Sequence, residues 1–178
     1  MKELFQSRRT VYDTDFLQVH EDTVKLPSGR TSTRVVVDHI GAAAVVPLTS
    51  EGEVVLVRQY RYALGAYTFE IPAGKKDAKE EDSLQTATRE LWEETGYASD
   101  DITFLKRIHT AIGFSNEVID LYFAKDAYFV EAPTAYEEDE YIDVHRLSLS
   151  EALEWVHRGK ITDAKTVIAL LLLEKLLK

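Results

Sequence analysis

From residue 4 to residue 38 the apolar positions come in short groups, Val11-Tyr12, Phe16-Leu17 with Val19, and Val35-Val36-Val37. The run Leu26-Pro27-Ser28-Gly29-Arg30 interrupts them as a turn, and the pattern predicts three strands. So little apolar material cannot build a core of its own. The region is expected to pack on the rest of the chain or on a second subunit. Ala42 to Leu48 is apolar throughout and predicts a central strand. Residues 53–60 follow across the hairpin turn Ser50-Glu51-Gly52-Glu53. There Val54, Leu56 and the stem of Arg58 share one face, and Val55 and Val57 the other. Tyr67 to Ile71 predicts a short strand leading into Pro72-Ala73-Gly74.

The period then changes. Asp82, with Gln85 three residues on, has the form of a capping box, so a helix should begin near Asp82 or Ser83. Leu84, Ala87, Thr88, Leu91 and Thr95 form the stripe expected to pack on the sheet. Gly96 is placed to end the helix in a left-handed conformation. Strands are expected at about 102–110 and 118–124, and at 142–147 after an acidic stretch at 136–140. Ser150 is the expected cap of a helix to about His157, and Asp163 of a last helix with an apolar body. Strands mixed with three helices predict an α/β chain whose sheet is covered on both faces.

Composition narrows the function. The formal net charge is −10, which disfavours nucleic acid and anionic membrane as partners. There is no cysteine, which excludes disulfides, thiolate catalysis and cysteine zinc sites and is compatible with a reducing cytoplasm. The opening run Met1-Lys2-Glu3-Leu4-Phe5 lacks the apolar core of a signal peptide. The longest apolar stretch, Val167 to Leu173, is far too short to span a bilayer. The five histidines show no ligand spacing and read as core, turn or surface residues.

The chemistry concentrates in Arg89-Glu90-Leu91-Trp92-Glu93-Glu94-Thr95-Gly96. Glu90, Glu93 and Glu94 stand at i, i+3 and i+4, so all three are expected to point the same way. Three such carboxylates repel one another unless a cation lies between them. Hard oxygen donors suit Mg²⁺, Mn²⁺ or Ca²⁺ rather than zinc. Arg89 lies four residues before Glu93 and can pair with it. Taken alone, such a charge run reads as a solvated face.

With Gly74 and Glu81 included, the segment resembles the Nudix box, G-x5-E-x7-R-E-U-x-E-E-x-G-U with U a bulky apolar residue. Every fixed residue is present, and Tyr97 fills the last apolar place. The departure is one extra residue between Gly74 and Glu81; a register on Glu80 would move it to the other side. An insertion fits a loop better than a helix, which favours Glu81.

The resemblance implies an α/β/α sandwich with a mixed sheet over residues 39–178, and a small N-terminal strand region over 1–38. It implies water attacking the pyrophosphate of a nucleoside diphosphate linked to another group, with two or more Mg²⁺ (or Mn²⁺) ions. Glu90, Glu93, Glu94 and the Ala73 carbonyl match the family's metal ligands. Glu81, Gly74, Arg89 and Gly96 match supporting positions, with contact to a metal through water the alternative for Glu81.

Further segments resemble the ADP-ribose pyrophosphatase and nucleoside diphosphate sugar hydrolase subfamily. They are His39-Ile40-Gly41-Ala42, Val57-Arg58-Gln59-Tyr60-Arg61, Glu70-Ile71-Pro72-Ala73-Gly74, Gly113-Phe114-Ser115-Asn116-Glu117 and Ile161-Thr162-Asp163-Ala164-Lys165-Thr166. By that resemblance Arg61, Arg34, Glu70 and Glu117 are substrate-binding candidates. A surface ion pair is the competing reading for either arginine. The subfamily exchanges its N-terminal strands across a homodimer, and Tyr12 or Phe16 is the candidate aromatic for the adenine, with core packing the alternative. The catalytic base is expected in the acidic stretch, with Glu140 the best match and Glu138 the second; Glu94 is a further catalytic candidate. Ile112 stands where ADP-ribose hydrolases carry proline, which opens a GDP-mannose-preferring or broad nucleotide-sugar hydrolase as the alternative. A module that binds a nucleotide sugar without cleaving it would be expected to have lost box glutamates, and none is missing here.

Overall fold

Strand β4 (Ala42–Thr49) explains both layers of the larger unit. Every residue from Ala42 to Val46 is buried. Alternation sends Ala42, Ala44 and Val46 to one face and Ala43 and Val45 to the other. Strand β5 (Glu53–Arg61) divides in the same way, with Val54 and Leu56 on the first face and Val55 on the second. Two apolar faces require two covers. Helix α1 (Ser83–Thr95) covers the second face through Ala87 and Leu91. Helices α2 (Leu149–His157) and α3 (Ala164–Leu176) cover the first through Ala152, Ala169, Leu170 and Leu173. Each fully buried aliphatic side chain contributes roughly 1.5–3 kcal/mol.

The computed structural model describes residues 1–131 and 141–178. Among the described residues the chain divides into two compact units. The larger comprises Ala42–Ile108 and Ile119–Lys178. Its remaining strands are β6 (Ala66–Glu70), β7 (Ala73–Lys75), β8 (Tyr97–Ala98), β9 (Asp101–His109), β10 (Val118–Phe129) and β11 (Ile142–Ser148). The sheet order is β11-β5-β4-β10-β8, with β6 along β5, β7 along β4 and β9 along β10. β4 and β10 run parallel, whereas β7 and β5 pair antiparallel with β4. The result is the expected mixed sheet between helical layers. Among the described residues no helix is long and apolar enough to cross a membrane.

The smaller unit comprises Met1–Gly41 and His109–Val118. Strands β1 (Leu4–Asp13), β2 (Leu17–Lys25) and β3 (Thr31–His39) form an antiparallel sheet in that order. The turn between β2 and β3 closes through Leu26 N–H to the Arg30 carbonyl (2.8 Å), with Gly29 at φ 85°. Within these strands only His20, Asp22 and Val24 are buried, and β1 is exposed along its whole length. One buried aliphatic side chain is no core, as the apolar pattern anticipated.

Three local expectations needed correction. The buried residues of α1 are Ser83, Thr86, Ala87, Glu90, Leu91, Glu94 and Thr95, while Leu84 and Thr88 are exposed. The helix is thus rotated toward its glutamates. Ser148, not Ser150, caps α2, its side chain accepting the Glu151 N–H at 3.2 Å. Strand β10 continues past residue 124 to Phe129, because a bulge with Asp126 at φ 49° absorbs Lys125-Asp126 and pairing then resumes.

Candidate active site

Helix α1 begins where Asp82 Oδ1 accepts the Leu84 N–H at 3.0 Å. It ends at Gly96, φ 74°, whose N–H reaches the Trp92 carbonyl at 2.8 Å. At about 100° per residue, Glu90 and Glu94 lie roughly 40° apart and Glu93 turns to the opposite flank. Accordingly Glu90 and Glu94 are buried, whereas the Glu93 side chain is 44% exposed. The structure brings two of the three carboxylates inward together, not all three.

Both buried glutamates meet strand β7. Glu94 Oε2 accepts the Ala73 N–H at 3.0 Å. A Cβ on Gly74 would fall 1.8 Å from Glu90 Oε1, so the space a side chain would need is filled by the Glu90 carboxylate. This close approach is why glycine is required there. Arg89 brings a cation to the glutamates, with its Nη1 2.7 Å from Glu90 Oε1 and 2.8 Å from Glu93 Oε2. Its Nη2 donates to the Lys75 carbonyl at 3.2 Å and ties the helix to β7. Glu81 closes the preceding loop, with its Oε2 accepting the Asp77 N–H at 2.6 Å and its carbonyl accepting Lys76 Nζ at 2.6 Å.

A second cluster lies at the end of β6. Glu70, its side chain 3% exposed, holds Arg61 bidentately through Nε and Nη2, each at 2.7 Å. Lys165 Nζ also donates to Glu70 Oε2, and Thr68 Oγ1 donates to Oε1 at 2.5 Å. Burial pushes the Glu70 carboxyl up, but Arg61, Lys165 and Thr68 outweigh it and hold the carboxyl at about 2. The hydrogen bond to Glu70 raises Arg61 above the usual guanidinium range, against its partial desolvation, and Glu94 adds to the rise. Lys165 further lies 3.1 Å from Asp163, the cap of α3. Thr166 Oγ1 accepts the Ile71 N–H at 2.8 Å and donates to Asp163 Oδ2 at 2.6 Å. Glu70 therefore serves Arg61 and Lys165 in this structure and is closed to solvent. Sequence reasoning missed Lys165 as a site residue. Its signal was a lysine in the first turn of an apolar helix, where the helix dipole opposes a cation and calls for a carboxylate.

In the smaller unit, Glu117 accepts the Thr110 hydroxyl and lies 3.8 Å from His39 Nε2. Asn116 accepts the His39 N–H at 2.9 Å and donates to Asp38 at 2.6 Å. Arg34 pairs with Glu3, Nε to Oε2 at 3.0 Å, on an exposed face. Tyr12 is exposed, and Phe16 packs edge-on to His39 with ring centroids 5.9 Å apart. Glu138 and Glu140 lie outside the described residues.

Residues 38–170 match the NUDIX domain family, and residues 6–37 match the nucleoside diphosphate sugar hydrolase N-terminal domain. The chain belongs to the Nudix family and is a Nudix hydrolase. A methanol dehydrogenase activator of Bacillus methanolicus is 41% identical over 173 residues, 95% of this chain and 93% of that protein. An ADP-ribose pyrophosphatase of Bacillus subtilis (strain 168) is 35% identical over 164 residues, 92% and 88% of the two chains. The crystal structure of an ADP compounds hydrolase shares the fold with a TM-score of 0.85 at 22% identity, covering 99% of this chain and 95% of that one.

Nudix hydrolases generally depend on divalent metal. Among the described residues no three His, Asp or Glu side chains already converge on one point. The donors nevertheless fit such an ion. Glu90 and Glu94 are carboxylates from one helical turn, held against the backbone of Ala73 and Gly74, and oxygen-only donors match a hard divalent cation.

Proposed function

We infer that this chain hydrolyses the pyrophosphate of ADP-ribose and related nucleoside diphosphate sugars, releasing a nucleoside monophosphate and a sugar phosphate. The observation that carries the reading is the pair of buried carboxylates, Glu90 and Glu94, lodged against Ala73 and Gly74. Glu90, Glu93, Glu94 and the Ala73 carbonyl would hold Mg²⁺ or Mn²⁺, two or more ions per site. When bound, the ions neutralise charge on the phosphate oxygens and acidify water.

The chain's own residues prepare this site. Ala73 N–H orients Glu94, and Arg89 separates Glu90 from Glu93. Arg61 offers a charge-assisted contact to a substrate phosphate. Glu140, or Glu138 in the second register, takes the proton from the attacking water. Glu117, Arg34 and an aromatic ring from Tyr12 or Phe16 complete substrate binding in a cytoplasmic homodimer that exchanges its N-terminal strands. The net charge of −10 argues against nucleic acid as a partner.

Incubation with ADP-ribose and Mg²⁺ should release AMP and ribose 5-phosphate. No phosphate product from any nucleotide sugar, with metal present, would sink the reading. Ile112, in place of the subfamily proline, favours a second reading in which GDP-mannose or a broad set of nucleotide sugars is preferred. Comparing kcat/KM across a nucleotide-sugar panel decides between them.

A further inference from the structure

The cluster behind Arg61 contains a charge that the Nudix box does not need. Lys165 is 8% exposed and lies in the first turn of α3. Burial and the helix dipole both oppose a cation there. Its Nζ is compensated by Glu70 Oε2 and by Asp163 Oδ2. The same Glu70 Oε2 receives Arg61 Nη2, so Lys165 and Arg61 share one carboxylate oxygen. Of the four charged side chains, Arg61 is the most open, at 42% exposed, against 23% for Asp163, 9% for Lys165 and 3% for Glu70. Its Nη1 takes no part in the Glu70 pair.

Charge counting shows what Lys165 adds. Glu70 and Asp163 bring two negative charges, and Arg61 and Lys165 bring two positive ones. Without Lys165 the cluster carries a net negative charge, and Glu70 is drawn wholly onto Arg61. A guanidinium so neutralised attracts a phosphate less. With both carboxylate oxygens left to Arg61, the guanidinium is also turned further toward Glu70 and away from an incoming phosphate.

We propose that Lys165 is a positioning residue that sets the orientation of Arg61 toward a substrate phosphate and the net charge of the cluster around it, acting through Glu70. This rests on the functional reading above in one respect, that Arg61 meets the substrate's phosphates. Lys165→Met keeps the length of the side chain and removes its charge. With ADP-ribose and Mg²⁺ it should raise KM about tenfold, the equivalent of one lost charge-assisted contact, while kcat and the half-saturating Mg²⁺ concentration change little. Lys165→Arg should recover most of the KM. In an Arg61→Ala background, Lys165→Met should add almost nothing.

An activity-independent readout is the ¹⁵N NMR signal of the Arg61 Nε–H group, which Lys165→Met should shift and expose to faster exchange. Should Lys165→Met fail to fold, the double variant Glu70→Gln with Lys165→Met removes both charges and spares the protein an unpaired one. Its KM should equal that of Glu70→Gln alone, since Lys165 acts only through Glu70, and an added penalty in the double variant would overturn the proposal. An unchanged KM together with an unchanged Arg61 signal, or an equal KM penalty with and without Arg61, would overturn the proposal. A wild-type protein that cleaves no nucleotide sugar would overturn the functional reading alone, and the Arg61 signal would then decide the role of Lys165.

Discussion

Replacing Glu70 with glutamine tests the electrostatic account of the cluster at the end of β6. The Glu70 carboxyl is lowered from 4.5 to about 2 in the folded protein. That difference is worth about 3 kcal/mol of folding stability at neutral pH. The sign follows from the direction of the shift. A depressed carboxylate contributes fully above its unfolded value near 4.5, and the contribution is lost as pH falls toward 2. Glutamine keeps the shape and can still accept a hydrogen bond from Arg61 or Thr68. It cannot balance Lys165, whose remaining acidic partner among the described residues is Asp163. Glu70→Gln should therefore cost about 3 kcal/mol at pH 7.5, a fall in Tm of roughly 6–12 °C for a chain of this size. At pH 3.0 the gap should shrink to roughly half, because Glu70 of the unfolded chain has then bound its proton while the folded carboxylate still carries most of its charge. Urea denaturation followed by circular dichroism at both pH values measures it. A gap under about 1 kcal/mol at pH 7.5, or one of equal size at pH 3.0, would refute the assigned role of the charge.

Other outcomes follow from the same contacts. Glu94→Gln should lower kcat/KM at least ~100-fold, since an amide can still accept the Ala73 N–H but cannot balance a cation's charge. Glu81→Gln should cost far less, because its amide oxygen can still accept the Asp77 N–H; equal losses in the Mg²⁺-dependent assay would mean the metal roles are misassigned. Gly96→Ala should destabilise by about 2–3 kcal/mol by thermal melting, since φ is 74° and the new Cβ would lie 2.2 Å from the Glu131 carbonyl oxygen. Glu140→Gln should lower kcat with little change in metal affinity by titration; normal turnover there and a loss at Glu138→Gln would shift the base by two residues. Light scattering at micromolar concentration should give a dimer, because strands β1 to β3 bury only Val24 among their apolar side chains; a monomer would remove the basis for a shared site.

Most of the elements, and the identity of the box, were legible in the order of the residues. Unbroken apolarity over so short a run as Ala42 to Val46, ahead of the turn at Ser50, reads as a strand covered on both faces, and the Asp82 and Gly96 ends of α1 are local chemistry that needs no tertiary context. The spacing from Gly74 to Tyr97 carries the family, because so many fixed residue types at fixed intervals survive no other constraint. What the spacing left open is which side chains meet. A helical stripe names a face to within about one residue's rotation. Packing on the sheet settled that rotation, turning Glu90 and Glu94 inward and leaving Glu93 on the flank. The pairing of Glu70 with Lys165 spans 95 residues, and a contact that distant leaves no periodic trace in the chain. It exists because the first turn of α3 docks at the end of β6, where Thr166 also takes the Ile71 N–H. Burial then decides the chemistry: in water these charges would be separately solvated, whereas away from water each must find the other.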